Sequence, residues 1–246
     1  MVERDLFGKP VPTPGARATT ASPQAERPRQ LALALPHEES FSHDNFLEGP
    51  SNAAALTLID SWPDWSSRVI VLTGAEGAGK SHLAAIWASR SGARIVAGEA
   101  LAVDGVQQAL ASGALVVEDV ATKPVDERAL FHLLNHAREV DAHVLLTALS
   151  PPALWSIALP DLRSRLRALP VVMLMPPDDD LLRALIVKFC ADRQLVVDEN
   201  LVSYLSTRIE RSSRAAREAV AKLDAEALRL GRPVTRALAA EIFRGE

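Results

Sequence analysis

The fold of this chain is decided by the stretch Gly74-Ala75-Glu76-Gly77-Ala78-Gly79-Lys80-Ser81, which spells G-x-x-x-x-G-K-S directly after the apolar run Val69-Ile70-Val71-Leu72. A glycine-rich loop between a buried strand and a helix lets successive backbone N–H groups face one anion. Lys80 can reach the β- and γ-phosphates of a nucleotide, and the Ser81 hydroxyl can bind Mg²⁺. The helix that begins at Lys80 directs its positive end at the same anion. The pattern therefore predicts a nucleotide-binding loop in preference to a glycine-rich turn without a ligand.

The composition limits the class of protein. The 246 residues are 48% hydrophobic, which is enough for one α/β core and a small second domain. The net charge is −4, so no overall basic field favours binding to nucleic acid, and a role on DNA is expected to act through a partner. The only cysteine, Cys190, lies in an apolar, helix-like run. This excludes a disulfide framework and a cysteine-based metal site, and it predicts that Cys190 serves as a buried small hydrophobic residue.

No membrane or export signal is recognisable in the sequence. There is no apolar run of eighteen residues, and the charged, proline-bearing N-terminus is unlike a signal peptide. The expected location is therefore cytoplasmic, without membrane contact.

The N-terminal 29 residues are rich in Pro, Ala, Thr and Arg, a composition typical of a disordered tail. Within this polar setting, Gln30-Leu31-Ala32-Leu33-Ala34-Leu35 presents alternating leucines that have no local partner. Such a segment is either a first strand or a docking peptide, and the pattern alone does not separate these alternatives.

The remainder alternates strands with helices and then contains helices alone. Ser51 is expected to cap a helix that runs to about Trp62. The predicted strands are Val69 to Thr73, Ala93 to Ala97, Ala114 to Asp119, His143 to Ala148 and Val171 to Met175. This order predicts an α/β fold with a parallel five-stranded sheet and a C-terminal α-helical lid. The predicted boundaries are 1–36 for the tail, 37–175 for the nucleotide-binding domain and 176–246 for the lid.

Two acids, Glu118 and Asp119, close a strand that is expected to lie beside the strand of the phosphate loop. One carboxylate can hold the waters of Mg²⁺, and a second can act as a base that orients an attacking water. Glu118 is the first choice for Mg²⁺, together with Ser81, and Asp119 is the alternative. The competing interpretation is that acids end a buried strand only to remain solvated.

Two groups of arginines stand out. Arg163, Arg165 and Arg167 are two residues apart, so on a helix they point in different directions, which favours one special arginine over a basic patch. A second trio, at positions 211, 214 and 217, shares a helix face, for which the spacing alone favours an ordinary solvated surface.

These motifs resemble the AAA+ ATPases of the replication-initiator (DnaA) family, and within it the short Hda-type regulators of DnaA. The similarity covers about Gln30 to Glu246 and implies an AAA+ P-loop NTPase core. The family's box ahead of the first core strand, which shapes the adenine side of the pocket, is matched by Phe41, Phe46, Gly49 and Asn52.

The resemblance assigns further site residues. The stretch 159–166 resembles the box with the arginine finger, which places a finger that acts in trans at Arg165, and Arg214 matches the sensor II arginine. ADP or ATP with Mg²⁺ is the implied cofactor. The residues predicted to bind it are Gly74, Ala75, Glu76, Gly77, Ala78, Gly79, Lys80, Ser81, His82 and Arg214.

The resemblance also implies two partners, DnaA itself and the DNA polymerase sliding clamp (the beta subunit). Gln30, Leu31, Leu33 and Leu35 match the Gln-Leu-x-Leu-x-Leu peptide with which Hda-type proteins dock on the clamp. DnaA continues beyond the lid into a helix-turn-helix domain, whereas this sequence ends at Glu246 within the last predicted lid helix. No direct sequence-specific DNA binding is therefore expected.

Two departures from the family concern hydrolysis. The family usually has Asp where this chain has Glu118, and its polar sensor I residue corresponds to Leu149. Weak hydrolysis of the chain's own nucleotide is therefore expected. The implied function is negative regulation of replication initiation, in which the clamp-docked protein stimulates hydrolysis of DnaA-bound ATP. The alternatives are a helicase-loader-like ATPase and a non-catalytic adaptor between clamp and DnaA.

Overall fold

The computed structural model describes residues 41–122 and 124–244. The predicted N-terminal tail and the clamp-docking peptide Gln30 to Leu35 lie outside the described residues, so both stay predictions.

A parallel sheet of five strands, in the order β2-β3-β4-β1-β5, forms the centre of the described chain. The strands are Val69–Gly74 (β1), Arg94–Ala97 (β2), Ala114–Glu118 (β3), His143–Ala148 (β4) and Val171–Leu174 (β5). Every residue of β1 and β4 is buried. For β1 and β4, this burial confirms the strands covered on both faces that continuous apolar runs predict. The predicted parallel sheet is confirmed as well.

The prediction that the strand ending at Glu118 lies beside the phosphate-loop strand was wrong. β4 pairs with both β1 and β3, so it separates the strand that ends at Glu118 from β1. An apolar run shows that a strand is buried, but it does not specify which strands flank it. Because all five strands are parallel, their carboxyl ends still lie at one edge of the sheet, and this edge carries both the acids and the phosphate loop.

Helices cover both faces of the sheet. Ala53–Asp60 (α1) and Lys80–Ser91 (α2) pack on one face, and Val106–Ala109 (α3), Glu127–Glu139 (α4) and Pro160–Arg167 (α5) pack on the other. Each face has its own hydrophobic cluster, with Trp87 fully buried in the first and Leu133 in the second.

The predicted cap at Ser51 was also wrong. The residue that precedes α1 is Asn52, whose side chain makes no cap bond to the helix. It instead accepts a hydrogen bond from the Gly49 N–H and donates one to the Leu47 carbonyl, both at 2.9 Å. Asn52 thus stabilises the loop ahead of the helix, and the Ser51 carbonyl accepts the N–H of Met175, the residue that follows β5.

The four C-terminal helices are Asp179–Asp192 (α6), Glu199–Ser206 (α7), Ser213–Leu230 (α8) and Arg236–Ile242 (α9). Each begins after a side chain that accepts a hydrogen bond from the N–H three residues later, namely Asp178, Asp198, Ser212 and Thr235. These helices enclose a separate hydrophobic cluster and form the predicted lid. Cys190 lies in this cluster, where burial raises the pKa of its thiol to about 11, as expected of an inert cysteine.

None of the helices in the described ranges combines the length and the apolar character needed to cross a membrane.

Candidate functional site

A cavity of about 850 Å³ lies between the phosphate loop, the N-terminal segment and the lid. The loop contributes residues 76–82, and Asp119 lines the same cavity from the end of β3. The lid contributes Arg214 and Arg217 among others, and Phe41 and Phe46 also line the cavity. A volume of this size accommodates a nucleotide-sized ligand.

The phosphate loop lies between β1 and α2, as its sequence predicts. Gly77 and Gly79 have φ values of +72° and +107°, which side chains disfavour, and Gly79 immediately precedes α2. Lys80 is only 6% exposed, and its Nζ donates to the carbonyl oxygens of Gly74 and Ala75 at 2.9 Å each. These bonds use two of the three ammonium donors, which leaves one for an anion.

The electrostatics of Lys80 follow from its burial. Desolvation lowers the pKa of Lys80, whereas the carboxylates of Asp119, Glu76 and Glu118 act in the opposite direction. A partly desolvated cation at the N-terminus of a helix is a strong attractor for phosphate.

The lid contacts the phosphate loop directly. The Ser213 N–H donates to the Gly77 carbonyl at 3.1 Å, and Arg214 pairs with Glu76 of the loop through Nη1 and with Glu218 through Nε at 2.8 Å. A Cβ placed on Gly77 would lie 2.5 Å from the Arg214 Cβ. Gly77 is therefore required for the approach of the lid as well as for the turn. The spacing of the motif predicts only the turn.

His82 connects the loop helix to the N-terminal segment. Its ring makes edge contacts with Phe41 and Phe46 at centroid distances of 5.3 and 5.2 Å, and its Nε2 lies 3.0 Å from the Ser42 carbonyl oxygen. Phe41 and Phe46, which the resemblance assigns to the adenine side, thus lie beside the loop helix, and Gly49 packs against Leu181 of the lid.

The two acids at the end of β3 differ in their environment. Asp119 lines the cavity, has a φ of +55°, and donates its N–H to the Thr147 hydroxyl at 3.1 Å. The side-chain oxygen Oε1 of Glu118 is buried and has no hydrogen-bond partner among the described residues. The contact of the Thr147 hydroxyl with the Asp119 N–H has no signal in the sequence, because a buried threonine in a strand has no distinctive pattern.

The donor set is compatible with Mg²⁺ of the kind that carries several waters. No group of three or more His, Cys, Asp or Glu side chains suited to a metal occurs in the described ranges. Mg²⁺ often uses one or two protein oxygens together with water and substrate phosphates, so such a group is not needed. Ser81 and Asp119 line the cavity and offer oxygens of the kind that this ion uses, whereas Glu118, the first choice from the sequence, is not among the lining residues.

Leu149 lines the cavity with 46% of its surface exposed. A leucine side chain has no donor or acceptor with which to orient a water molecule. The position that the resemblance assigns to the polar sensor I residue therefore carries no polar side chain.

Arg165 is not among the residues that line the cavity. It lies on α5, where Nη1 donates to Asn135 Oδ1 at 2.5 Å, Nε lies 3.2 Å from Asp161, and the guanidinium is 4.8 Å from the centre of the Phe131 ring. The structure therefore brings together the predicted loop residues, Asp119 and Arg214, but not Arg165. Phe131 and Asn135 were missed in the sequence, although their i,i+4 spacing places them on one helix face.

Comparison with known proteins shows what this arrangement is similar to. No protein-family model matches the chain. The chromosomal replication initiator protein DnaA of Thermomicrobium roseum is 23% identical over 96% of this chain and 57% of its own length, so the chain spans little more than half of that relative.

Solved structures share the fold. Domain III of Thermotoga maritima DnaA superposes with a TM-score of 0.69 at 20% identity, covering 83% of this chain and 95% of that domain. A DnaA structure bound to AMPPCP and single-stranded DNA has a TM-score of 0.59 at 19% identity, covering 74% and 63% of the two chains. The Holliday junction branch migration motor RuvB of Thermotoga maritima has a TM-score of 0.63 at 16% identity, covering 82% and 71%. The chain is thus similar in sequence to DnaA and has the AAA+ P-loop fold.

Proposed function

We propose that this DnaA-related chain is a negative regulator of replication initiation, which binds an adenine nucleotide and supplies Arg165 to ATP held by DnaA. The observation that carries this proposal is the separation of its two special arginines: Arg214 lines the chain's own cavity, whereas Arg165 lies outside it on an exposed helix. An arginine that cannot serve its own nucleotide is available to that of a partner.

The nucleotide is held by the phosphate loop and the lid. Backbone N–H groups of the loop, Lys80 and the start of α2 bind phosphates, and Arg214 completes the site from the lid. The bound AMPPCP in the related DnaA structure supports an adenine nucleotide as the ligand. When bound, the nucleotide supplies negative charge that attracts Lys80 of the core and Arg214 of the lid, so it holds the two parts together.

Lys80→Ala tests nucleotide binding. The loop then loses its buried ammonium, so affinity for ADP and ATP falls on the order of a hundredfold. Thermal-shift titration with each nucleotide measures this loss, because a ligand that binds only the folded state raises the melting temperature. Lys222→Ala, which changes a lid lysine outside the cavity, is the control and keeps the wild-type shift. Equal shifts in wild type and Lys80→Ala would contradict nucleotide binding at this loop.

The partner reaction uses Arg165 as a cation. Positive charge supplied in trans stabilises the negative charge that develops on a transferring phosphoryl group, with gains of about 10³–10⁵ in related GTPase systems. The exposed Leu149 in the chain's own cavity agrees with a reaction in which the partner's nucleotide, and not the chain's own, is hydrolysed.

Recruitment to the clamp is the remaining part of the proposal. The peptide at Gln30 to Leu35 supplies apolar side chains for docking, and a peptide of this kind binds weakly, with a Kd on the order of micromolar. Simultaneous contact with clamp and DnaA raises the avidity by roughly 10²–10⁴.

Arg165→Ala tests the catalytic contribution. DnaA that carries labelled ATP is mixed with clamp-loaded DNA and with wild type, Arg165→Ala or Arg163→Ala. Arg163 is an exposed arginine of the same helix and provides the matched control. We expect stimulation by wild type and by Arg163→Ala, and its loss with Arg165→Ala.

The other outcomes identify the alternatives. Wild-type and Arg165→Ala proteins that both bind clamp and DnaA, but give equal hydrolysis, would indicate a non-catalytic adaptor. Absence of any effect on DnaA, combined with capture of the replicative helicase, would indicate a helicase-loader-like ATPase.

A further inference from the structure

One face of α4 is built around the segment that carries Arg165. Glu127, Phe131 and Asn135 are four residues apart, so they lie in one row along the helix. Phe131 and Asn135 are half-buried and contact the Arg165 guanidinium, the first through its ring and the second through Oδ1.

Glu127 positions the start of α5 rather than the arginine itself. Its two carboxylate oxygens accept the N–H groups of Ala158 and Leu159, at 2.7 and 2.8 Å. Leu159 immediately precedes α5, so this carboxylate occupies the N-terminal end of the helix, where negative charge is favourable. Through Glu127, α4 therefore holds the start of α5, the helix that carries Arg165. The Arg165 side chain is held by Phe131 and Asn135, four and eight residues further along the same row.

The contacts orient the guanidinium without using all of its donors. Nη1 binds Asn135 and Nε pairs with Asp161, whereas Nη2 has no hydrogen-bond or ion-pair partner among the described residues. Ring and amide are both neutral, so they restrict the guanidinium plane without adding negative charge. The edge that includes Nη2 stays available to a phosphate.

We propose that Phe131 and Asn135 are positioning residues that hold Arg165 in the orientation in which it meets a partner's nucleotide. This inference rests on the trans function of Arg165 proposed above. An exposed arginine must otherwise lose its rotamer freedom when the partner binds, and that cost reaches a factor of about ten for a long side chain. Misplacement of the charge by about 1 Å costs more, up to about a hundredfold in rate.

The test uses Asn135→Ala and Phe131→Leu in the clamp-dependent hydrolysis assay with DnaA. We expect the rate at saturating protein to fall roughly tenfold for each variant, while the half-saturating concentration is unchanged, because docking is intact and only the arginine is loosened. Phe131→Tyr keeps the ring under the guanidinium and retains the wild-type rate. His132→Ala, an exposed change one residue outside the row, is the matched control.

A second measurement does not depend on DnaA. The Arg165 Nε–H resonance in the isolated protein reports exchange with water and fast motion, and we expect faster exchange in both weakening variants but not in Phe131→Tyr. Wild-type rates and unchanged Nε–H exchange for Asn135→Ala and Phe131→Leu would overturn the inference. A raised half-saturating concentration with an unchanged maximal rate would also overturn it, by assigning the row to docking.

Arg165→Ala, assayed in parallel, separates the positioning inference from the trans function. If it abolishes stimulation while the row variants match wild type, the positioning inference fails and the trans function stands. If Arg165→Ala also matches wild type, the trans function fails, and the positioning inference fails with it.

Discussion

Arg214 and Arg165 are held in nearly parallel ways, yet they face different targets. Each is about half exposed, and each pairs with a carboxylate one helical turn away, Glu218 for Arg214 and Asp161 for Arg165. They differ in the group that comes from another element. Arg214 contacts a second carboxylate, Glu76 of the phosphate loop, whereas Arg165 contacts the neutral Asn135 and the Phe131 ring.

This difference sets the electrostatic character of the two regions. Two carboxylates around Arg214 more than compensate its charge, so the guanidinium connects lid to loop within the cavity. The one carboxylate paired with Arg165 balances its charge without exceeding it, and the orienting groups add no further negative charge. Of the two, Arg165 is thus the better suited to an anion that arrives from outside, and Arg214 to an anion that is bound between the domains.

The largest expected effect comes from Gly77→Ala, which disrupts the region around Arg214. The new methyl group meets the Arg214 Cβ at 2.5 Å, so the lid must move away from the loop. We expect nucleotide affinity to fall on the order of a hundredfold, because the phosphate site loses both its loop geometry and its lid contact. Isothermal titration with ADP measures the change.

Gly113→Ala is the matched control for that experiment. Gly113 has a φ of +76°, close to the +72° of Gly77, but a Cβ there has nothing within 4 Å. Both variants carry the strain of a left-handed residue, about 1 kcal/mol. Equal ADP affinities in the two variants would show that nucleotide binding does not depend on the close approach of the lid to Gly77.

An intermediate effect is expected from Glu76→Gln, which makes the surroundings of Arg214 resemble those of Arg165. Removal of a negative charge from the phosphate loop favours the more highly charged ligand, so affinity for ATP should rise relative to ADP by roughly three- to tenfold. Glu218→Gln removes the other carboxylate, which lies on the same helix as Arg214 and not on the loop. A ratio that changes equally in both variants would contradict a particular effect of Glu76.

The smallest expected effect concerns the sheet that supports both regions. His143 at the start of β4 is buried, and its Nε2 accepts a hydrogen bond from Arg68 at 2.7 Å. Burial, and secondarily the charge of Arg68, lower the pKa of His143, while a backbone bond to Pro63 and the charge of Asp141 oppose this. The unfolded chain therefore binds a proton at a higher pH than the folded chain does.

Acidification should therefore destabilise the folded chain through His143. Stability from His143 is fully present above the ordinary imidazole pKa of 6.5 and decreases as the pH falls below it, until the folded-state pKa is passed. Urea unfolding at pH 7.5 and 5.5 should show a smaller decrease in His143→Gln than in wild type. His132→Gln, an exposed histidine, is the control. An identical pH dependence in wild type and His143→Gln would contradict a neutral buried histidine.

Much of the α/β core was accessible from the sequence because its signals are local. The apolar runs identified every strand of the described sheet, and the helices that follow the last strand predicted the lid. The phosphate loop was equally clear, since its function needs glycines and Lys80 at fixed spacing. The placement of β4 between β1 and β3 was missed because it depends on strands that are distant in the chain. The cap at Ser51 was missed for a local reason, since the neighbouring Asn52 precedes α1 and binds the loop ahead of it.

By itself, the sequence determined the succession of strands and helices along the chain, the phosphate loop and the pair of acids at the end of β3. Hydrophobic period and motif spacing are properties of adjacent residues. Only the tertiary structure decided the partners of the two arginines. A carboxylate from the loop meets Arg214, and an amide and a ring from α4 meet Arg165. These contacts join residues that lie at least thirty positions apart in the chain, as Asn135 and Arg165 do. Their energies depend on the packing of whole helices, which no local pattern encodes.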